Sequence, residues 1–380
     1  PPPTPTRRPP RSTPRQGRRQ RQMCIRDSQE VIDSTAFIRG EEVRKFQDEL
    51  SAYLDIKHVI ACGNGTDALQ VALMALDLAP GDEVITTPFT FIATVEVIRL
   101  LGLKPVFVDV KPDTFNLDPA LLEQAVTERT RAIVPVHLFG QCADMEPIMN
   151  FARSYGLYVI EDNAQALGAD FLPSDGTNQK AGTIGHLACT SFFPSKNLGA
   201  FGDGGALFTN DESFGLRAAS LVNHGMSKRY HYDHVGVNSR LDTLQAAILR
   251  VKLLHLDEYH RARQEAAAWY DSSLSGLEGL QIPVRSAFTT HIFHQYTLLV
   301  QASIRDELKQ YLHERGIPSQ VYYPLPLHLQ KAYKDLGYKE GDFPVSEELC
   351  LRVLSLPMHT ELDQVQLNYI TDHLQEFFKA

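Results

Sequence analysis

The chain has 380 residues, 43% of them hydrophobic, which is enough to bury a large core and to form one large unit with a smaller one beside it. Its formal charge of −9 hides two unlike parts, because residues 1–28 hold eight arginines against Asp27 alone and leave the remainder at −16. An acidic body argues against nucleic acid as a partner, and no apolar run nears the roughly 20 residues that cross a bilayer, so a cytoplasmic, membrane-free protein is expected.

The first 28 residues carry seven prolines and no hydrophobic periodicity. They read as a disordered, non-native head that resembles translated vector or adapter sequence. Five cysteines, Cys24, Cys62, Cys142, Cys189 and Cys350, are scattered without a C-x-x-C pair, which fits reduced thiols rather than disulfides or a metal site.

From residue 57 short β-branched runs alternate with helical patterns. "HVIAC" precedes "TDALQVALMAL", "DEVITT" precedes "FIATVEVIRLL", "PVFVDV" precedes "DPALLEQAV", "RAIVPVH" precedes "MEPIMNFARSY", and "LYVIED" follows. This order predicts βαβ units and an α/β fold with a mostly parallel central sheet flanked by helices, whose ligands bind at the carboxyl ends of the strands. "GGALFTN" predicts one more strand, and residues 239–274 one long amphipathic helix. "HQYTLLVQ", "RDELKQYLHERGI", "QVYYP" and "DQVQLNYITDHLQEFF" then describe a smaller C-terminal α+β unit. The expected division is 29–250 for the large unit and 251–380 for the small one.

Three strand ends carry candidate chemistry. In "CGNGTDALQVAL" glycines turn the chain into a helix at Thr66, and backbone N–H groups there, with Gly65 and the Thr66 hydroxyl, can cradle a phosphate; a plain helix cap would use the same residues. Asp162 ends the buried strand of "VIEDNAQALGA", where an unpaired carboxylate is costly and should meet a cation such as a pyridinium nitrogen; a helix cap or a structural ion pair is the alternative. Gln165, three residues on, can reach the phenolic oxygen of the same ring. In "TSFFPSKNLGAFGDGGA" an apolar run and four glycines surround Lys196, a setting that lowers an amine's pKa and suits Schiff-base formation, though a snorkelling lysine would also fit. Ser191 can complete a phosphate shell, and Phe91 of "TPFTF" can stack on a cofactor ring. The G-K-[ST] of a nucleotide triphosphatase is missing, and "GAFGDGG" lacks the G-x-G-x-x-G order of a dinucleotide loop.

Phosphate cradle, aromatic run, strand-end Asp-x-x-Gln and then a lysine about 30 residues on together specify a pyridoxal 5′-phosphate (PLP) enzyme. From about Ser28 onward the chain resembles the DegT-type sugar-nucleotide aminotransferases, which are fold-type I PLP enzymes. The resemblance lies in "NGTDAL", "GDEVITTPFTFIAT", "VHLFGQCADM", "EDNAQALGA", "SFFPSKNLGAFGDGGA", "NHG" and "GVNSRLDTLQAAIL". It implies that Lys196 bears the PLP, that Asp162 pairs with its ring nitrogen and Gln165 with its phenolic oxygen, and that Gly65, Thr66 and Ser191 hold its phosphate. Asn238 is implied to reach that phosphate from a second subunit, which makes a homodimer the minimal active unit.

The implied reaction moves the amino group of L-glutamate to a nucleotide-linked keto-sugar used for surface polysaccharide. "HIFHQYTLLV" and "GIPSQVYYPLPLHLQKAY" look most like enzymes of UDP-2-acetamido-2-deoxy-3-oxo-glucuronate, ahead of a dTDP-3-keto-6-deoxyhexose enzyme and a C4-specific one. A uronate carboxylate wants a cation, for which Arg229, Arg240, His294 and His328 are candidates, each equally readable as a structural residue. From another class, a non-catalytic regulatory or binding protein of the same fold would keep the cradle without needing Lys196, Asp162 and Gln165 together.

Overall fold

The computed structural model describes residues 15–379. Two helices come first, α1 (Arg15–Ser34) and α2 (Glu41–Leu54). Strands and helices then alternate: β1 (His58–Cys62), α3 (Gly65–Ala75), β2 (Glu83–Thr86), α4 (Ala93–Leu100), β3 (Lys104–Phe107), α5 (Leu122–Ala125), β4 (Thr130–Ile133), α6 (Met145–Tyr155) and β5 (Tyr158–Asp162). A short antiparallel pair, β6 (Asp170–Phe171) and β7 (Gln179–Lys180), precedes β8 (Leu187–Ser191), β9 (Gly205–Thr209) and α7 (Glu212–Leu221).

These strands build a seven-stranded sheet in the order β1-β9-β8-β5-β4-β2-β3. β9 alone runs against its neighbours, so the sheet is mostly parallel as its sequence pattern predicts. Side-chain alternation splits β8 and β9 between two cores. Leu187, Cys189 and Leu207 face α3, α4 and α7, whereas Ala188, Ala206 and Phe208 face α2 and a later helix that bears Ala246, Leu249 and Leu253. Burial on both faces is why these strands read as continuous apolar runs.

A small hairpin, β10 (Met226–Lys228) and β11 (His231–Tyr232), leads to α8 (Thr243–Leu253) and α9 (Leu256–Leu274). Residues 239–274 are therefore two helices instead of the one expected. Leu253 and Leu256 are both buried while Leu254 is 74% exposed, and the break between them turns α9 toward the C-terminal core. That core is a three-stranded antiparallel sheet of β12 (Leu280–Gln281), β13 (Tyr296–Val300) and β14 (Val353–Leu356), together with α9, α10 (Arg305–Glu314) and α12 (Gln364–Lys379), while α11 (Pro344–Arg352) packs Leu349 and Cys350 against Leu299 and Val353 in a separate cluster. "QVYYP" contributes a single bridge, Gln320 to Ser355, in place of a strand.

Residues 1–14 of the head lie outside the described residues. Residues 15–28, expected to lack packed structure, run in α1 instead. Pro14 is the last proline of the head, arginine and glutamine are good helix formers, and Cys24 buries against Ile248 and Val251 of α8. All five cysteines are free and buried, and no helix among the described residues is long and apolar enough to cross a membrane.

Phe46 of α2 is fully buried edge-on against Phe192, with ring centroids 5.3 Å apart, four residues before Lys196. Phe46→Ala is expected to destabilise the protein by about 3–5 kcal/mol. Urea unfolding measures it, and a loss under about 1 kcal/mol would show that this contact does not hold α2 to the sheet.

Candidate active site

A cavity of about 650 Å³ opens at the carboxyl ends of β1, β5 and β8. It gathers Gly65, Thr66, Phe91, Asp162, Gln165, Ser191, Lys196 and His294 from the residues singled out in the sequence, and adds Gln295, Tyr322 and Tyr323.

Its floor is the start of α3. Asn64 caps the helix, its side-chain oxygen accepting from the Asp67 N–H at 2.8 Å while its carbonyl accepts from Ala68, so the N–H groups of Gly65 and Thr66 keep no partner among the described residues. A Cβ on residue 65 would lie 2.6 Å from the Ser191 Cβ, so only glycine lets the end of β8 close this cradle. Ser239 braces it from beneath, accepting from the Gly63 N–H at 2.9 Å and donating to the Asp67 carboxylate at 2.6 Å. Two free N–H groups at a helix start, beside two hydroxyls and a glycine, fit a phosphate.

Asp162 closes β5 and is 5% exposed. Its carboxylate accepts from the Thr94 hydroxyl at 2.7 Å and the Ala164 N–H at 3.2 Å, and it makes no ion pair among the described residues. Neutral donors alone do not offset the burial of a negative charge, so the carboxylate fits a protonated ring nitrogen. The Gln165 side-chain oxygen accepts from the Phe139 N–H at 2.8 Å, which fixes the amide so that its NH₂ donates to the Tyr323 hydroxyl at 3.2 Å. Tyr323 and Thr94 were not singled out in the sequence; the paired aromatics of "QVYYP" were the only local signal.

Burial lowers the pKa of Lys196 to about 8, against the Asp162 carboxylate, which works to raise it. With a pKa about two units below that of an ordinary lysine, this amine keeps an appreciable free-base fraction near neutrality, as a nucleophile and proton carrier needs. The ring of Phe91 is 54% exposed, lines the cavity and lies 6.5 Å from that of Tyr323.

The residues expected to offer cations to a sugar carboxylate fare differently. His294 lines the cavity, but burial, reinforced by Lys196 and Arg263, holds its imidazole well below its ordinary pKa. It is neutral and can donate one hydrogen bond instead of forming an ion pair. His328 lies outside the cavity, 1% exposed, its Nε2 3.0 Å from the Glu347 carboxylate and its ring against Phe343, so it is a structural strut. Arg229 projects from the exposed β10–β11 hairpin with its guanidinium over the Tyr230 ring, and Arg240 and the exposed Asn238 also lie outside their own chain's cavity.

One further cluster, His137, Cys142 and Glu161, lies directly behind Asp162. The Glu161 carboxylate already accepts from the N–H groups of Gly182, Ile184 and Gly185 and pairs with His137 Nε2 at 2.8 Å, while His137 Nδ1 accepts from the Ala143 N–H. With its acceptors occupied, this cluster anchors β5 and has no free ligand set for a metal.

Competitive acetylation of Lys196 across pH, read by mass spectrometry on coenzyme-free protein, is expected to show a midpoint near 8. Asp162→Asn removes the charge that favours the ammonium and moves the midpoint down. A midpoint above about 10, or an upward move in the variant, would contradict this electrostatic picture.

Comparison with known proteins agrees with the geometry. Residues 19–375 match the DegT/DnrJ/EryC1/StrS aminotransferase family. A "pleiotropic regulatory protein" of Geobacillus stearothermophilus is 48% identical over 352 residues, covering 92% of this chain and 93% of that one. The UDP-2-acetamido-2-deoxy-3-oxo-D-glucuronate aminotransferase of Pseudomonas aeruginosa is 46% identical over 342 residues, 90% of this chain and 92% of its own length. The crystal structure of DesV from S. venezuelae superposes with a TM-score of 0.91 at 39% identity and covers 96% of both chains. A buried acid, a low-pKa amine and a phosphate cradle at these strand ends thus have a common explanation: the chain belongs to the DegT/DnrJ/EryC1/StrS family of PLP-dependent sugar-nucleotide aminotransferases.

Proposed function

We propose that the protein transfers the amino group of L-glutamate to C3 of UDP-2-acetamido-2-deoxy-3-oxo-glucuronate in the cytoplasm, in a route to surface polysaccharide. The observation that carries this reading is the pairing, in one cavity, of an amine with its pKa lowered to about 8 and a buried carboxylate that makes no ion pair among the described residues. The sugar assignment is supported by relatives named for 3-oxo UDP-sugars, at 46% identity each, ahead of those named for dTDP-3-amino sugars at 41% and 40%. A dTDP-3-keto-6-deoxyhexose is accordingly the second substrate to test.

PLP, when bound, supplies an electron sink that makes the neighbouring C–H bond of an amine substrate acidic. Lys196 is the residue that would hold the coenzyme through its side-chain nitrogen, and the same amine, when free, would take the proton from the glutamate Cα. In the second half it returns a proton to the sugar carbon. An amine poised near neutrality can serve as base and acid in turn. Asp162 would keep the ring nitrogen protonated, the Gln165 amide would donate to the phenolic oxygen, and Gly65, Thr66 and Ser191 would bind the phosphate, with Phe91 against the ring. His294 would offer a neutral hydrogen bond to the sugar.

Among the described lining residues Lys196 is the single cation, so an anionic substrate needs charge from elsewhere. We assign that charge to a second copy in a homodimer, whose Arg229 and Arg240 would reach the sugar nucleotide and whose Asn238 would reach the phosphate. Support comes from the exposure of the hairpin that bears Arg229, where Tyr230 and Tyr232 are 72% and 56% exposed.

The name of the Geobacillus stearothermophilus relative favours a regulatory protein as a second reading. A regulator would not need Lys196, Asp162 and Gln165 gathered in one cavity. Glutamate-dependent amination of UDP- and dTDP-keto-sugars tests this directly: turnover is expected, and Lys196→Ala should reduce it by about 10³-fold or more with the fold intact. Unchanged turnover in Lys196→Ala would defeat the catalytic reading. Mixing inactive Lys196→Ala with Asn238→Ala chains is expected to restore activity in hybrid dimers, and failure to do so would defeat the shared site.

A further inference from the structure

Arg263 of α9 is buried and makes no ion pair among the described residues. One of its terminal nitrogens, Nη1, donates to three backbone carbonyls: Phe293 at 3.0 Å, His294 at 3.4 Å and Met358 at 3.2 Å. Its Nε is buried without a partner. A guanidinium is costly to keep in such a place, and filling space would need no charge.

Two of the three carbonyls belong to residues 292–295, the segment that lends His294 and Gln295 to the cavity wall. The Ile292 carbonyl accepts from the Asn197 side chain at 3.2 Å, one residue after Lys196. The Ile292 N–H donates to the Gly140 carbonyl at 2.9 Å, and the Gln295 N–H to the Phe139 carbonyl at 3.3 Å. Phe139 in turn donates to the Gln165 side-chain oxygen. The two stretches touch without slack: at Gly140, with φ +102°, a Cβ would lie 2.8 Å from the His294 nitrogen. One short segment therefore sets the loop of Lys196, the backbone that orients Gln165 and a wall of the cavity. From α9 it is held by Gln264, which donates to the His291 carbonyl, and by Arg263.

We propose that Arg263 is a positioning residue for the reaction: its grip on the Phe293 and His294 carbonyls fixes the segment that seats Lys196 through Asn197 and orients Gln165 through Phe139. The idea rests on Lys196 being the reactive amine. The groups facing these residues are few. Lys196 faces Asp162 and His294, and Arg263 faces His294, His260 and His359, three histidines that burial holds neutral. Loosening the segment admits water beside Lys196, which relieves its desolvation and raises its affinity for a proton.

The test measures the acetylation midpoint of Lys196 in coenzyme-free wild type, Arg263→Gln and Arg263→Lys, each checked for a wild-type circular dichroism spectrum. Arg263→Gln is expected to raise the midpoint by about half a pH unit or more, with Arg263→Lys, which keeps the charge but not the span of contacts, in between. A folded Arg263→Gln with the wild-type midpoint overturns the proposal. If that variant does not fold, Arg263→Lys decides on the same criterion, and failure of both to fold also overturns it, because Arg263 would then serve the fold as a whole. A wild-type midpoint near that of an ordinary lysine would defeat the reading of Lys196 and, with it, the role of Arg263 that rests on it, whereas a wild-type midpoint near 8 that Arg263→Gln leaves unchanged defeats the role of Arg263 alone.

Discussion

Asp162 lies buried at the end of β5 with, among the described residues, a hydroxyl and a backbone N–H as its hydrogen-bond donors, while Lys196 shares its cavity with a proton only loosely held. Most of what surrounds the pair serves to keep it in place and dry. Both faces of the sheet are covered, which brings β5 and β8 to the cavity as fixed struts, and the glycine at residue 65 lets the start of α3 meet the end of β8. The low-dielectric setting strengthens the attraction of the carboxylate for any ring cation, and it also weakens the hold of the amine on its proton.

Behind this pair the fold places satisfied polar groups. Glu161, one residue before Asp162, collects three backbone N–H groups and His137, so the strand that delivers Asp162 is fixed by a saturated network. On another wall of the cavity the 292–295 segment is tied to Phe139 and Gly140 through backbone bonds. The chemistry therefore sits where elements far apart in sequence meet, a geometry in which a shift of an ångström can cost much of the rate.

Much of this was legible in the sequence, for a physical reason. A buried parallel strand cannot tolerate a charge at its end without a purpose, so Asp162 stood out in "VIEDNAQALGA", as Lys196 did between aromatics and glycines. What escaped were partners supplied from a distance. Tyr323 meets Gln165 across 158 positions, Ser239 meets Asp67 across 172, and Arg263 meets carbonyls 30 and 95 residues away. His328 was readable both as a cation for substrate and as a structural residue, because its partner, Glu347, comes from α11, 19 positions on. The break between α8 and α9 was hidden because the apolar periodicity runs through it, and the packing of α1 because Cys24 finds its contacts on α8.

Amino transfer by this chain would require a covalent bond between the Lys196 amine and the coenzyme. Purified protein incubated with pyridoxal 5′-phosphate, reduced with borohydride and digested should yield a pyridoxyl group on the peptide that contains Lys196. A reduced protein with the group on another lysine, or with none, would contradict the account.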